Sequence, residues 1–275
     1  MTAMVKSVDG AGLFWDGLAQ ELAAWQASGR RASFWWRDDD AVSATPALER
    51  LTALSARAQA PIAIAAIPKL IEPSLAPAVV AHSTVWLLQH GFAHIDHAKG
   101  LADPAKGGKG AWELGLHRPM EIVLEELEAG RAIMQAEFGA QFLPVVAAPW
   151  NHIDPALMPG LRERGYRGDS SYGERPLFPP LPGFVEANIH FDVSNWKHGP
   201  RFRGEAAALE MIVGHLSRRR SGEAERDEPT GIVTHHAALD EASWKFMAEL
   251  LDFVARHPAA AWLSPQDIFT SADRP

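Results

Sequence analysis

The chain has 275 residues, 47% of them hydrophobic, and a formal net charge of -8, which is apolar material enough for a sizeable core. That negative balance argues against a nucleic-acid partner, because phosphate binding needs a concentrated basic surface; the one basic cluster, Arg218-Arg219-Arg220, is followed by Glu223, Glu225 and Asp227 and reads as a solvated turn. With no cysteine, disulfides and thiolate zinc sites are excluded, and with no run of roughly 18 apolar residues and no signal-peptide pattern, a cytoplasmic location without a membrane partner is the expectation.

In chain order, Leu13 to Ala27 carries apolar residues at helical spacing and makes residues 1–30 an N-terminal helical extension. Ala32 to Arg37 is the first apolar, strand-like run; Thr45 then reads as an N-cap with Pro46 at the first helical position, leading a helix over Ala47 to Ala58. Strands are predicted at Pro61 to Ile67 and Thr84 to Gln89, followed by a glycine- and lysine-rich stretch, Lys99 to Lys109, that reads as a mobile loop. Next come a helix over Met120 to Phe138, a strand over Phe142 to Ala148, a helix over Pro155 to Arg164 and a strand over Gly165 to Ser170. Tyr172 to Pro182, with four prolines, reads as a rigid irregular connection. A strand over Phe184 to His190, a helix over Glu205 to Arg219, a strand over Gly231 to Thr234, a helix over Asp240 to His257 and a strand over Ala260 to Leu263 complete the chain. Strands alternating with helices predict an α/β fold with a parallel sheet, and no linker divides residues 1–275 into more than one domain.

Residues able to do chemistry follow the predicted strand ends. They are Asp38, Asp39 and Asp40 after the first strand, His90 and His94 after the third, and Pro149-Trp150-Asn151 after the fourth. His190 and Asp192 follow the sixth, and His235 and His236 the seventh. In barrels of alternating strands and helices, active sites are built on that rim. Three adjacent carboxylates repel one another, and a divalent cation is the simplest remedy; a solvated loop capping the next helix is the plain alternative. Arg37 could pair with one of them. Without cysteine, an ion would be held by imidazole and carboxylate, and a His-x-x-x-His spacing places two rings on one metal if the chain turns into a helix after Gly91. His97 reads as a surface or supporting histidine. Trp35, Trp36, Trp86, Trp112, Trp150 and Trp196 lie near the predicted rim and could stack on sugar rings or simply fill the core.

With "RDDDA", "HGFAH", "APWN", "DVSNW" and "VTHH" in that order, the chain resembles the polysaccharide deacetylases, metal-dependent carbohydrate esterases. The resemblance implies a distorted (β/α)7 TIM-like barrel as a single domain. It also implies a hydrolase acting on amide bonds of acetylated sugars, with a divalent metal, zinc first and cobalt, nickel or manganese as alternatives. In the family's Asp-Asp motif the first Asp is the general base and the second a metal ligand. Aligning Thr45-Pro46 gives Asp38 and Asp39 those roles. Aligning Arg37 with the Arg-x-Asp-Asp of more remote relatives gives Asp39 as base and Asp40 as ligand, the preferred register. His90 and His94 match the His-Ser/Thr-x-x-His ligands, with Gly91 at the Ser/Thr position. The family arginine that orients the base is replaced by Ala147, so that role is vacant unless Arg37 takes it. Trp150 would wall the groove and Asn151 could donate a hydrogen bond. Asp192 and Trp196 would support the catalytic histidine, and His235 matches the general acid. The substrate implied is an acetylated carbohydrate, with a small amide or ureide as the alternative, and a binder that has lost catalysis as the reading from another class.

Overall fold

Ten residues, Ala32–Ala41, form the central strand β1, four more than the apolar run predicts, because the acidic residues continue it. The computed structural model describes residues 10–100, 110–175 and 181–270. Most of the Lys99 to Lys109 stretch, and part of the proline-rich connection, lie outside those residues. Strands β2 (Ile62–Ala66), β3 (Val85–His90), β4 (Phe142–Ala147), β5 (Gly168–Ser170) and β6 (Val185–Glu186) follow β1 in spatial order, each parallel to its neighbour. β7 (Phe191–Asp192) pairs with β10 (Thr230–Thr234), and β10 with the other edge of β1. A short antiparallel hairpin, β8 (Ser194–Asn195) and β9 (Arg201–Phe202), stands outside the sheet, and β11 (Ala260–Trp262) pairs with the start of β1.

The predicted strand Phe184 to His190 is in fact split into β6 and β7, and this split closes the sheet. The amides of Ala187 and Ile189 donate to the carbonyls of Asp169 and Ser171 on the β5 side, whereas His190 donates to Gly231 on the β10 side. One run of chain therefore hands over from one sheet edge to the other, giving a distorted seven-stranded α/β barrel.

Strand alternation sorts the apolar residues. Phe34, Trp36, Ile62 and Ile64 face outward against the helices, with Leu51, Met247 and Leu250. Trp35, Ala63, Ala65, Leu88, Val145 and Val233 fill the barrel. Trp35 and Trp36 are thus core residues, not rim residues.

Helix α1 (Gly10–Ala27) packs through Leu18, Leu22 and Trp25, and Trp25 Nε1 donates to the carbonyl of Leu216. α2 (Pro46–Ala58) starts as predicted, with the Thr45 hydroxyl accepting from the Leu48 amide. α3 (Leu75–Val80) is too short to show in the hydrophobic period, and the predicted helix over Pro155 to Arg164 reduces to a 3-10 turn followed by α5 (Met158–Glu163). α4 (Met120–Phe138), α6 (Glu205–Ser221), α7 (Glu241–Arg256) and α8 (Pro265–Thr270) complete the set. The basic cluster is the last turn of α6, not a solvated turn. Arg219 is buried and donates to the Ser33 carbonyl, the Ser33 hydroxyl and Thr230, with its guanidinium 5.1 Å from the Trp25 ring. Among the described residues, no helix is long and apolar enough to cross a membrane.

Candidate active site

Alternation along β1 puts Trp35, Arg37 and Asp39 on the barrel side and Trp36 and Asp38 on the other. The register between β1 and β2 then shifts: Asp38 pairs with Ile64 but Ala41 with Ala66, so β1 holds one extra residue. This is a β-bulge, which re-aims a side chain, and at it Asp40 takes a φ of +72°. The bulge lets two consecutive carboxylates, Asp39 and Asp40, enter the same cleft.

That cleft, 380 Å³ in volume, is lined by Asp39, Asp40, His90, His94, Trp150, Asn151, Asp192, Trp196 and His235. Five non-glycine residues among those described have positive φ, and four of them, Asp40, His94, Trp150 and Asn151, line it; the fifth, Gln59, caps α2. Backbone strain of this kind costs about 1–3 kcal/mol per residue and gathers at functional sites.

Arg37 is fully buried and reaches three partners. Its Nε lies 2.9 Å from Asp39 Oδ1 and its Nη2 donates to Asp39 Oδ2 at 2.9 Å. Nη2 also donates to Asn151 Oδ1 at 2.5 Å, and Nη1 to the hydroxyl and carbonyl of Ser170. Asn151 thus accepts through its side-chain oxygen here, which leaves its side-chain NH2 as the donor. Ala147 is buried in the barrel and offers no guanidinium, so the arginine on the acidic residue comes from β1 itself.

Beside Asp39, Asp40 Oδ1 lies 3.1 Å from His90 Nε2 and 3.3 Å from His94 Nε2. His90 Nδ1 is 3.0 Å from the Ala147 carbonyl. A carbonyl can only accept, so Nδ1 carries a hydrogen; Nε2 then donates to Asp40 when the ring is protonated and has its lone pair free for a metal when the ring is neutral. Burial opposes a charge on His90, but Asp39 and Asp40 outweigh it and raise its pKa. Burial also works against the Asp40 carboxylate, yet the His90 hydrogen bond and the neighbouring His90, His235 and His94 hold its pKa well below the usual carboxylate range. His94 goes the other way, its pKa lowered by burial and then by His90. One carboxylate oxygen and two imidazole nitrogens, within 4.8 Å of one another, are a fitting donor set for a three-ligand divalent-metal site.

The turn after His90 is not a helix. Gly91 has a φ of +57°, and a Cβ built there would stand 2.0 Å from Glu113 Oε2 and 2.5 Å from Pro149 Cγ. Gly91→Ala should therefore cost about 2–4 kcal/mol, read as a fall in thermal midpoint of the metal-free protein; an unchanged midpoint would refute this packing.

On the opposite flank, His235 Nε2 lies 4.0 Å from Asp39 Oδ2 and its Nδ1 lies 4.0 Å from Asp192 Oδ1. Asp192 accepts from the Ser194 amide and from Trp196 Nε1, both at 2.8 Å, and its pKa is raised by burial against the pull of His235. Trp196 meets His235 edge to face at 4.7 Å, and Trp150 meets His94 at 4.3 Å. Each indole thus walls one end of the cleft, whereas Trp86 and Trp112 do not line it.

Asp38 is not a cleft residue. Fully buried, it accepts from Thr234 Oγ1 at 2.6 Å, from the His236 amide at 3.0 Å and from His236 Nδ1 at 2.5 Å, fastening the end of β1 to that of β10. Of the two registers for the acidic trio, this leaves Asp39 and Asp40 in the cleft. His97 stands outside it, its amide bonded to the Trp112 carbonyl. Glu113, which sequence reasoning missed, is fully buried against the His90 turn; an acidic residue between Trp112 and Leu114 is the only trace it leaves in the sequence.

His190, His215 and Glu228 form a second buried group with ligand atoms within 4.8 Å of one another. It is a poor metal site. The Gly231 amide donates to His190 Nδ1, so the hydrogen of that neutral ring is on Nε2, the atom facing Glu228. The His190 and His215 rings also stack at 3.5 Å, which places a shared ion out of both ring planes.

No family model and no curated protein matches this sequence. Solved structures do. A candidate polysaccharide deacetylase from Mycobacterium smegmatis superposes with a TM-score of 0.58 at 14% identity, over 82% of this chain and 77% of that one. A family 4 carbohydrate esterase from Streptomyces lividans, solved in complex with acetate, gives 0.53 at 12% identity over 86% and 95%. A peptidoglycan deacetylase from Bacillus subtilis gives 0.53 at 9% identity over 89% and 92%. At these identities the likeness establishes the fold: this chain has the barrel on which those proteins are built.

Proposed function

We propose that this protein is a metal-dependent deacetylase that removes acetyl groups from N-acetylated or O-acetylated sugars. The observation that carries the reading is the convergence of Asp40, His90 and His94 in one cleft, with Asp39 and His235 flanking them. The names of the solved neighbours and the order of the sequence motifs support the same class.

Asp40, His90 and His94 would hold a divalent ion, zinc first, with cobalt, nickel or manganese as alternatives. Such an ion supplies a lowered pKa for bound water and polarises an acyl carbonyl. Asp39, fixed by two contacts to Arg37, is the base that takes a proton from the attacking water. His235 presents Nε2 to the cleft and delivers a proton to the departing nitrogen or oxygen, with Asp192 behind Nδ1 on the far side of the ring. Trp150 and Trp196 offer apolar faces to a sugar ring. Arg37 answers the main objection to catalysis, since it engages the carboxylate that Ala147 cannot.

Acetate release from acetylated amino-sugar oligomers, and from small amides alongside, tests the proposal. The zinc-loaded protein should release acetate, stop with a chelator and recover on re-addition of zinc. Thermal stabilisation by a sugar with no acetate released would instead mark a binder.

A further inference from the structure

The turn that carries both imidazoles has no helical hydrogen bonds of its own, and Gly91 within it has no side chain to cap it. Its amides are nonetheless satisfied by one distant residue. Glu113 Oε1 accepts from the Ala93 amide at 2.7 Å and the His94 amide at 3.1 Å, and Oε2 accepts from the Phe92 amide at 3.2 Å. Its carboxylate occupies the space a Cβ at Gly91 would need.

The segment bearing Glu113 is anchored on both sides. The Trp112 amide donates to Asp96 Oδ1 and its carbonyl accepts from the His97 amide, while the Leu114 carbonyl accepts from the Asp154 amide. Trp112 stacks on His152 at 4.6 Å. The strand-like segment thus ties the turn of His94 to the turn of Trp150 and Asn151.

Resting on the reading of Asp40, His90 and His94 as metal ligands, we infer that Glu113 is a positioning residue that fixes the His90 to His94 turn and thereby sets metal affinity. It touches no ligand nitrogen. Its three hydrogen bonds hold His94 at a φ of +57°, a conformation costly for any residue with a Cβ. Released from them, His94 would relax away from Asp40 while His90, on β3, stayed in place.

The test is the zinc dissociation constant of metal-free protein, measured by competition with a chromogenic chelator, for wild type, Glu113→Gln and Glu113→Ala. Glutamine keeps an acceptor for two of the three amides and alanine for none. Affinity should fall a few-fold in Glu113→Gln and about 10–100-fold in Glu113→Ala, the range for residues that orient ligands. Should the alanine variant fail to fold, the glutamine variant is read alone, with the rise in thermal midpoint on zinc addition as second measure. Variants that are less stable without metal but bind zinc as wild type does would overturn the inference and leave the metal site standing. A wild type that binds no zinc would overturn both.

Discussion

Asparagine in place of Asp39 will lower the rate of acetate release by about 10²–10⁴-fold, the contribution of a positioned acid or base, while the folded protein keeps its metal. Asparagine matches aspartate in shape but offers no carboxylate to take a proton from water. The metal should stay because Asp40, not Asp39, meets the two imidazoles. Stability is a separate matter. Arg37 would lose an ion pair whose two side chains are 0% and 2% exposed, and breaking a buried pair costs about 3–5 kcal/mol. Activity must therefore be compared at a temperature where both proteins are folded. A variant that keeps full activity would take the base role from Asp39.

His235→Ala should lose a comparable factor in turnover, with metal content and thermal midpoint close to wild type. The ring is within 4.0 Å of Asp39 on one side and Asp192 on the other, but neither contact is a tight hydrogen bond, and among the described residues no backbone group bonds to it. Little stability is lost on truncation. In the proposed mechanism the variant lacks the proton donor for the leaving group, so the deficit should shrink for substrates whose leaving group needs no proton, such as activated aryl acetates. An equal deficit on those esters would point instead to a role for His235 in binding.

The order of chemistry-bearing residues along the chain was legible because a parallel barrel places every strand end on one rim, and Asp39, His90, His94, Trp150, Asn151, Asp192, Trp196 and His235 do line one cleft. The register of the acidic trio was legible only through the alignment of Arg37 and not from the strand pattern. It depends on a bulge that no composition marks, and with regular alternation Asp38 and Asp40 would share a face. The partner of Asp38, His236, is visible only once β1 and β10 are known to be neighbours. Glu113 was missed because its role is a set of long-range contacts to backbone amides, for which the sequence carries no spacing rule. Arg219 was misjudged because charge patterning sees acidic neighbours in sequence and not Trp25 from a helix far away. The division of one strand into β6 and β7 is likewise a consequence of barrel closure and not of local propensity.

Elemental analysis of untagged protein, wild type beside the His90→Ala/His94→Ala double variant, tests the central claim most directly. The site as built should hold about one divalent ion per chain in wild type, and the double variant, left with Asp40 as the sole ligand, should hold none while staying folded. A wild type that takes up no divalent ion, even after dialysis against zinc, would contradict the account.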